Sequence, residues 1–262
     1  MVRVERLWQS FASWQGTLAM QTPKLEHSHQ PDDIAARLEQ GPDTSYLRDW
    51  VYGGIDGAVT TFAIVAGSVG ASLSTKVILI LGIANLLADG FSMAAANYSG
   101  SKSENEDYQR LRAIEEKHIS IEPDGEREEI RQIFSAKGYS GDDLEKIVGL
   151  VTSNRTTWIE TMLLAEYGIS DGGRAPLKAA LYTFAAFVLF GSVPLLPFVL
   201  SIPASAATAS LLTALAFFAI GSFRARWSPR HWISCGFETM AIGMLAAAIA
   251  FGAGHGLQQL LG

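Results

Sequence analysis

The chain has 262 residues, of which 48% are apolar and only 18% charged, and its mean hydropathy is positive at +0.19. That is more apolar surface than one soluble core of this size requires, so the composition predicts an integral membrane protein. The net charge of −6 comes mainly from residues 104–171, which points to an acidic soluble module and away from a nucleic-acid or anionic-lipid binder, and the single Cys235 excludes an internal disulfide.

Residues 1–45 mix Gln, Ser, Pro, His and both charge signs without a sustained apolar period. They read as a cytoplasmic, partly disordered arm with one short helix near 31–39, and no apolar core follows the first basic residues as a secretory signal would need. His27 and His29 in such an arm are expected to be solvated rather than metal-bound.

The first membrane span is predicted over 51–73, long enough at about 1.5 Å per residue to cross about 30 Å of hydrocarbon. It holds Asp56 within YGGIDGAVTTF, about a turn and a half inside the apolar boundary. Gly53, Gly54 and Gly57 flank that Asp and strip bulk from the helix, which permits close approach of another helix or of an ion. A plain packing face is the alternative reading.

The second span, 77–98, returns the chain to the starting side and then passes into charged sequence without Pro or a turn cluster. One continuous rod is therefore expected from Gly82 to His118, leaving the bilayer for water. Asn85, Asp89 and Met93 recur every four residues on one face of its apolar part. An Asp in the bilayer costs at least ~2.5 kcal/mol, so it is seldom there without a role or a partner.

Between Lys102 and Gly173 the sequence predicts amphipathic helices near 100–120, 124–137, 141–152 and 155–168, broken at Pro123, at 138–141 and at Ser153 and Asn154, with Asp124 opening one of them. Glu115 and His118 are three apart, Glu126 and Glu129 three apart, Met162 and Glu166 four apart, and each pair shares a helix face. Turned together, the three faces would offer carboxylates, an imidazole and a thioether, a set suited to Fe(II), Mn(II) or Zn(II) rather than Mg or Ca. A solvated acidic surface is the alternative.

Three more spans follow, at 177–200, 204–223 and 232–257, with Pro194 and Pro197 placed to kink or end the first of these. Glu238 in the last span reads as a structural partner for a helix end or as a further transport group. Of 20 Lys and Arg residues only Lys76 lies in the loop after the first span, and none lies between the third and fourth spans or after the fifth. The positive-inside rule then places the N-terminal arm, the acidic module and the 224–231 loop in the cytoplasm.

Four stretches carry a family resemblance: DGAVTTFAIVAGSVGA, NLLADGFSMAAANYSGSKSE, APLKAALYTFAAFVLFGSVPLLPF and GFETMAIGMLAAAIAFGAG. Over roughly residues 46–257, in order and with similar spacing, the chain resembles the vacuolar iron transporter family. The resemblance implies an all-α membrane protein with five transmembrane helices and a cytoplasmic helical metal-binding domain inserted between helices 2 and 3. It divides the chain into an arm (1–45), helices 1 and 2 (46–99), the metal-binding domain (100–175) and helices 3–5 (176–262).

Such proteins are transporters, not enzymes. They work as homodimers that move Fe(II), often with Mn(II) or other divalent ions such as Zn(II) or Co(II), out of the cytosol in exchange for protons, with no permanent cofactor. By the resemblance Asp56 and Met93 correspond to pathway residues, and Glu115, Glu126, Glu129, Met162 and Glu166 to the domain's metal ligands. The membrane would be the vacuolar one in a eukaryote and the inner membrane in a bacterium.

This chain departs from the family pattern at Asn85 and His118, each standing where a Glu is usual. His118 remains a good ligand. Asn85 can coordinate through its carbonyl but carries no proton, so the proton-carrying carboxylate is expected one turn away, at Asp89, closer in depth to Asp56. The alternatives are an Asp89 paired with a hydroxyl or with Glu238, and a protein that senses or stores metal without transporting it.

Overall fold

The structure, a computed structural model, describes residues 27–40, 45–170 and 173–261. Residues up to Asp43 and those from Thr44 onward form two separate units. In the first, helix α1 (Pro31–Gln40) has Asp32 and Asp33 in its opening turn and Arg37 in its last, both placed to suit the helix dipole. Just before it the rings of His27 and His29 stack with centroids 4.8 Å apart. The rest of the expected arm lies outside the described residues.

In the second unit the described residues contain helices and no strand. They are α2 (Leu47–Gly70), α3 (Thr75–Ile121), α4 (Pro123–Ala136), α5 (Gly141–Thr152), α6 (Arg155–Glu166), α7 (Pro176–Ser192), α8 (Ser205–Arg224) and α9 (Trp232–Leu261). Five of them, α2, α3, α7 with its continuation, α8 and α9, are long and apolar enough to cross a membrane. The expected rod is present: α3 runs unbroken for 47 residues, about 70 Å. Past Ser192, α7 tightens into a 3₁₀ turn (Val193–Leu195) and one last α turn (Leu196–Val199). Pro194 and Pro197 lack the N–H groups that a continuing helix needs, so the expected ending falls here.

Two apolar clusters hang on the rod. Near its first half, Ala58, Phe62 and Val65 of α2 pack with Leu86, Phe187, Phe217 and Ala247 from the other four membrane-length helices. On its polar half, Tyr108, Leu111 and Ile119 pack with Ile130 of α4, Val148 of α5 and Trp158, Ile159 and Leu163 of α6. Helix α2 is the hub of the first cluster, touching α3, α7, α8 and α9.

The glycines beside Asp56 serve helix packing. A methyl group at Gly53 or Gly57 would strike the backbone of Thr183 or Phe187 on α7, and one at Gly54 the ring of Phe190. Main chain meets main chain there, so nothing flexible can yield. Gly57→Ala is expected to destabilise the protein by about 1–3 kcal/mol, read as a lower thermal midpoint in detergent. Gly100→Ala on α3, where the space is open, should leave the midpoint unchanged or raise it.

Candidate functional site

Helix α3 supplies Glu115 and His118 from one face, and α4 brings Glu126 against them. One ligand atom from each of the three lies within 4.8 Å of the others. His118 Nδ1 is 3.5 Å from Glu126 Oε1, and Glu115 Oε1 accepts a hydrogen bond of 3.1 Å from the Tyr167 hydroxyl. Glu115 is 1% exposed and Glu126 5%. The second oxygen of each, Glu115 Oε2 and Glu126 Oε2, is buried with no donor group beside it, and a protonated Glu126 carboxyl is placed to share its proton with Glu115. Two carboxylate oxygens withdrawn from water without a donor are costly, and a cation in place of that proton would satisfy both.

The electrostatics agree. Burial and the negative charges of Glu129, Glu115 and Glu166 push the Glu126 carboxyl up to about 7. Glu129 is also raised, by burial and by Glu166 and Glu115, with His118 opposing. Burial, then Glu115 and Glu166, holds the Tyr167 hydroxyl above its ordinary range, so it stays protonated and donates. Glu129 and Glu166 stand at the exposed rim. Met162 is wholly buried in the core of the same helical module, one turn before Glu166. Tyr167 was not singled out in the sequence: the helix expected over 155–168 contained it, but the structure ends that helix at Glu166, and only this turn sets the Tyr167 hydroxyl against Glu115.

The second set lies between α2 and α3. Asp56 on α2 and Asp89 on α3 are both half-buried. Asn85 Nδ2 donates to Thr60 Oγ1 at 3.2 Å and to Thr61 Oγ1 at 3.3 Å. Thr60 in turn donates to the Asp56 main-chain oxygen at 2.9 Å. The Asn85 amide nitrogen is thus committed to the α2 hydroxyls, leaving its carbonyl oxygen as the coordinating end. Met93 is half-buried against the apolar core. Glu238 is engaged elsewhere: its Oε2 accepts from Arg230 at 2.7 Å and from Arg224 at 3.2 Å, clasping the turn between α8 and α9.

A third polar centre had no signal in the spacing. Asp49, 3% exposed near the start of α2, forms an ion pair with Arg174. Asn97 Nδ2 donates to Asp49 Oδ1 at 2.8 Å and to Thr183 Oγ1 at 2.7 Å. It was overlooked because Arg174 lies far along the chain, in the connector ahead of α7.

Comparison with known proteins bears on this arrangement. The model of the VIT family matches residues 47–255. Vacuolar iron transporter 2 of Oryza sativa subsp. japonica is 32% identical over 217 residues, covering 82% of this chain and 88% of that protein. Vacuolar iron transporter 1 of Arabidopsis thaliana is 32% identical over 209 residues, covering 78% and 83%. The vacuolar iron transporter of Toxoplasma gondii is 30% identical over 231 residues, covering 84% and 76%.

A carboxyl raised to about 7 must release its proton before it can ligate. Mn(II) binding to the full-length protein in detergent, followed by calorimetry, should weaken by up to about tenfold per unit as pH falls from 7 to 5.5. Glu126→Gln should flatten that slope and weaken binding at pH 8. Without metal the sign reverses. The folded state takes up the Glu126 proton near 7 and the unfolded state near 4.5, so the metal-free protein should gain stability as pH falls through that window, seen as a rising thermal midpoint in chelator.

Proposed function

The chain belongs to the VIT family, and on that premise we propose that it is a transporter that exports Fe(II), with Mn(II) as a second cargo, from the cytosol in exchange for protons. The observation that carries this reading is the buried Glu115 and Glu126 oxygen pair beside His118, mounted on the same helix that holds Asn85, Asp89 and Met93. A collecting site and a membrane pathway on one unbroken rod is an arrangement for passing an ion along.

In this reading residues 100–175 form a cytoplasmic metal-binding domain. Glu115, His118 and Glu126 hold the ion, Glu129 and Glu166 draw it in, and Met162 offers a thioether from the module's core. Five spans and the Lys and Arg distribution support a cytoplasmic N-terminus. In the membrane Met93 supplies a soft contact that disfavours Mg and Ca, Asn85 coordinates as a neutral ligand, and Asp56 and Asp89 take the charge. Two carboxylates that exchange two protons for one divalent ion leave the local charge unchanged, which keeps both halves of the cycle affordable in a medium of low dielectric.

Two copies are expected to pair along α2 and α3. Ile80, Leu87 and Phe91 of α3 are exposed along one side of a single chain, which supports that reading. The membrane is vacuolar if the chain follows its named relatives, and the cytoplasmic membrane in a cell without vacuoles.

A sensor or store is the second reading, favoured by Asn85, which removes one proton carrier from the pathway. Fe(II) flux into proteoliposomes with and without a pH gradient separates the two. Flux that rises with the gradient supports exchange, and binding without flux supports the sensor. Asp56→Asn should abolish flux while leaving a folded protein. Asp89→Asn should stop metal-driven proton movement, and Asn85→Glu combined with Asp89→Gly should restore much of it. Normal exchange by Asp89→Asn would place the proton carrier elsewhere.

A further inference from the structure

The turn between α8 and α9 carries positive charge that the metal sites do not use. From Arg224 to Glu238 the chain holds three arginines, Arg224, Arg226 and Arg230, against one carboxylate. Arg224 and Arg230 share Glu238 Oε2, each through one N–H group, so the other donors of both guanidiniums stay open to a further acceptor. Arg226 has no ion-pair partner among the described residues and lies over the ring of Phe223, 5.8 Å from its centroid. The negative charge of the whole chain, which pointed away from an anionic-lipid binder, resides in the acidic module. This turn runs locally the other way.

An apolar groove begins beside the turn. Its cavity of about 270 Å³ is lined by Trp50 and Val51 of α2, Phe190 of α7, and Ala219, Ile220 and Phe223 of α8. Phe223 is common to both features, since its ring forms part of the groove wall and also carries Arg226. Trp227 packs edge-on against that ring with centroids 5.7 Å apart, and Phe223, Trp227 and Trp232 are all exposed. Exposed Trp beside Arg at one end of membrane-length helices marks the level of the lipid headgroups.

The helices that frame the groove are three of the five long and apolar enough to span a membrane, so what fills it comes from the bilayer. A soluble anion would meet the guanidiniums but gain nothing from the apolar walls. A second copy of the chain docked through the same turn would set like charges together.

We propose that the groove and the arginine turn together bind one anionic phospholipid, its phosphate on Arg226 with Arg224 and Arg230 beside it, and one acyl chain along Trp50, Phe190 and Ala219. The guanidinium suits a phosphodiester because its planar fork donates two parallel hydrogen bonds. Basic pockets between membrane helices take such headgroups. Glu238 holds two of the arginines together without neutralising the group. The inference depends on the membrane-length helices and not on which ion is carried.

The test is native mass spectrometry of the full-length protein, released from nanodiscs made of equal parts dioleoylphosphatidylglycerol and dioleoylphosphatidylcholine. The wild type should retain the anionic lipid in preference to the neutral one. Arg226→Gln should lower that preference about fivefold. Ala219→Phe, which fills the groove without touching a charge, should lower it as well. Both positions are exposed, so both variants should fold. Glycerol phosphate, which has the headgroup charge and no chains, should not displace the lipid.

Equal retention of the two lipids by the wild type overturns the proposal, as does an undiminished preference in Arg226→Gln. A preference that survives in Ala219→Phe would reduce the effect to surface charge and overturn the groove. Displacement by glycerol phosphate would make the ligand a free phosphate rather than a lipid, and overturns the proposal too.

Discussion

Carboxylate held out of water without enough donors is the constraint on which the rest of this structure depends. Glu115 and Glu126 each keep one oxygen buried with no donor group beside it, and unsatisfied buried charge is among the least tolerated features of a folded chain. The surrounding module is arranged to sustain it. Tyr167 fixes one Glu115 oxygen and His118 approaches one Glu126 oxygen, while the apolar packing of Ile130, Trp158 and Ile159 keeps α4 and α6 pressed against α3. The two inward oxygens are left to a proton shared between Glu126 and Glu115, or to a cation.

The rod turns that local arrangement into a directional one. Because α3 has no break between Thr75 and Ile121, the cluster at Glu115 and His118 and the stripe of Asn85, Asp89 and Met93 share one axis. The glycine face of α2 holds Asp56 and the Thr60 and Thr61 hydroxyls at fixed depth against α7, so that Asn85 meets them across the interface. At the junction between module and membrane helices, Asp49, Arg174, Asn97 and Thr183 gather α2, α3, α7 and the connector in one polar knot. A buried pair of this kind contributes little net stability, yet breaking it by removing one partner is costly, by about 3–5 kcal/mol. Such a knot sets the register of the helices that meet there more than it strengthens them.

Much of this was legible in the chain itself. Apolar length, the unbroken run from Gly82 to His118 and the breaks at Pro123 and Asn154 follow from local rules, since helix formation and its interruption are decided by residues a few positions apart. Asn154 caps α6 as its place at a break suggested, accepting from the Thr157 amide at 3.1 Å. The charge pattern likewise identified the acidic module, and spacing alone put Glu115 with His118 and Glu126 with Glu129.

What the sequence left open concerns contacts between distant segments. Spacing could not say that Glu126 would be buried against Glu115 while Glu129 and Glu166 stayed at the rim, because burial depends on how α4 and α6 rotate onto α3. It left Glu238 open between a structural partner for a helix end and a transport group, and the fold gives it to Arg224 and Arg230. It gave no notice of Asp49, whose partners lie 48 and 125 residues away. Periodicity determined which helices exist and which face of each is polar. Only the tertiary packing decided which polar faces meet, because a side chain's charge environment is made by neighbours that the chain brings together from afar.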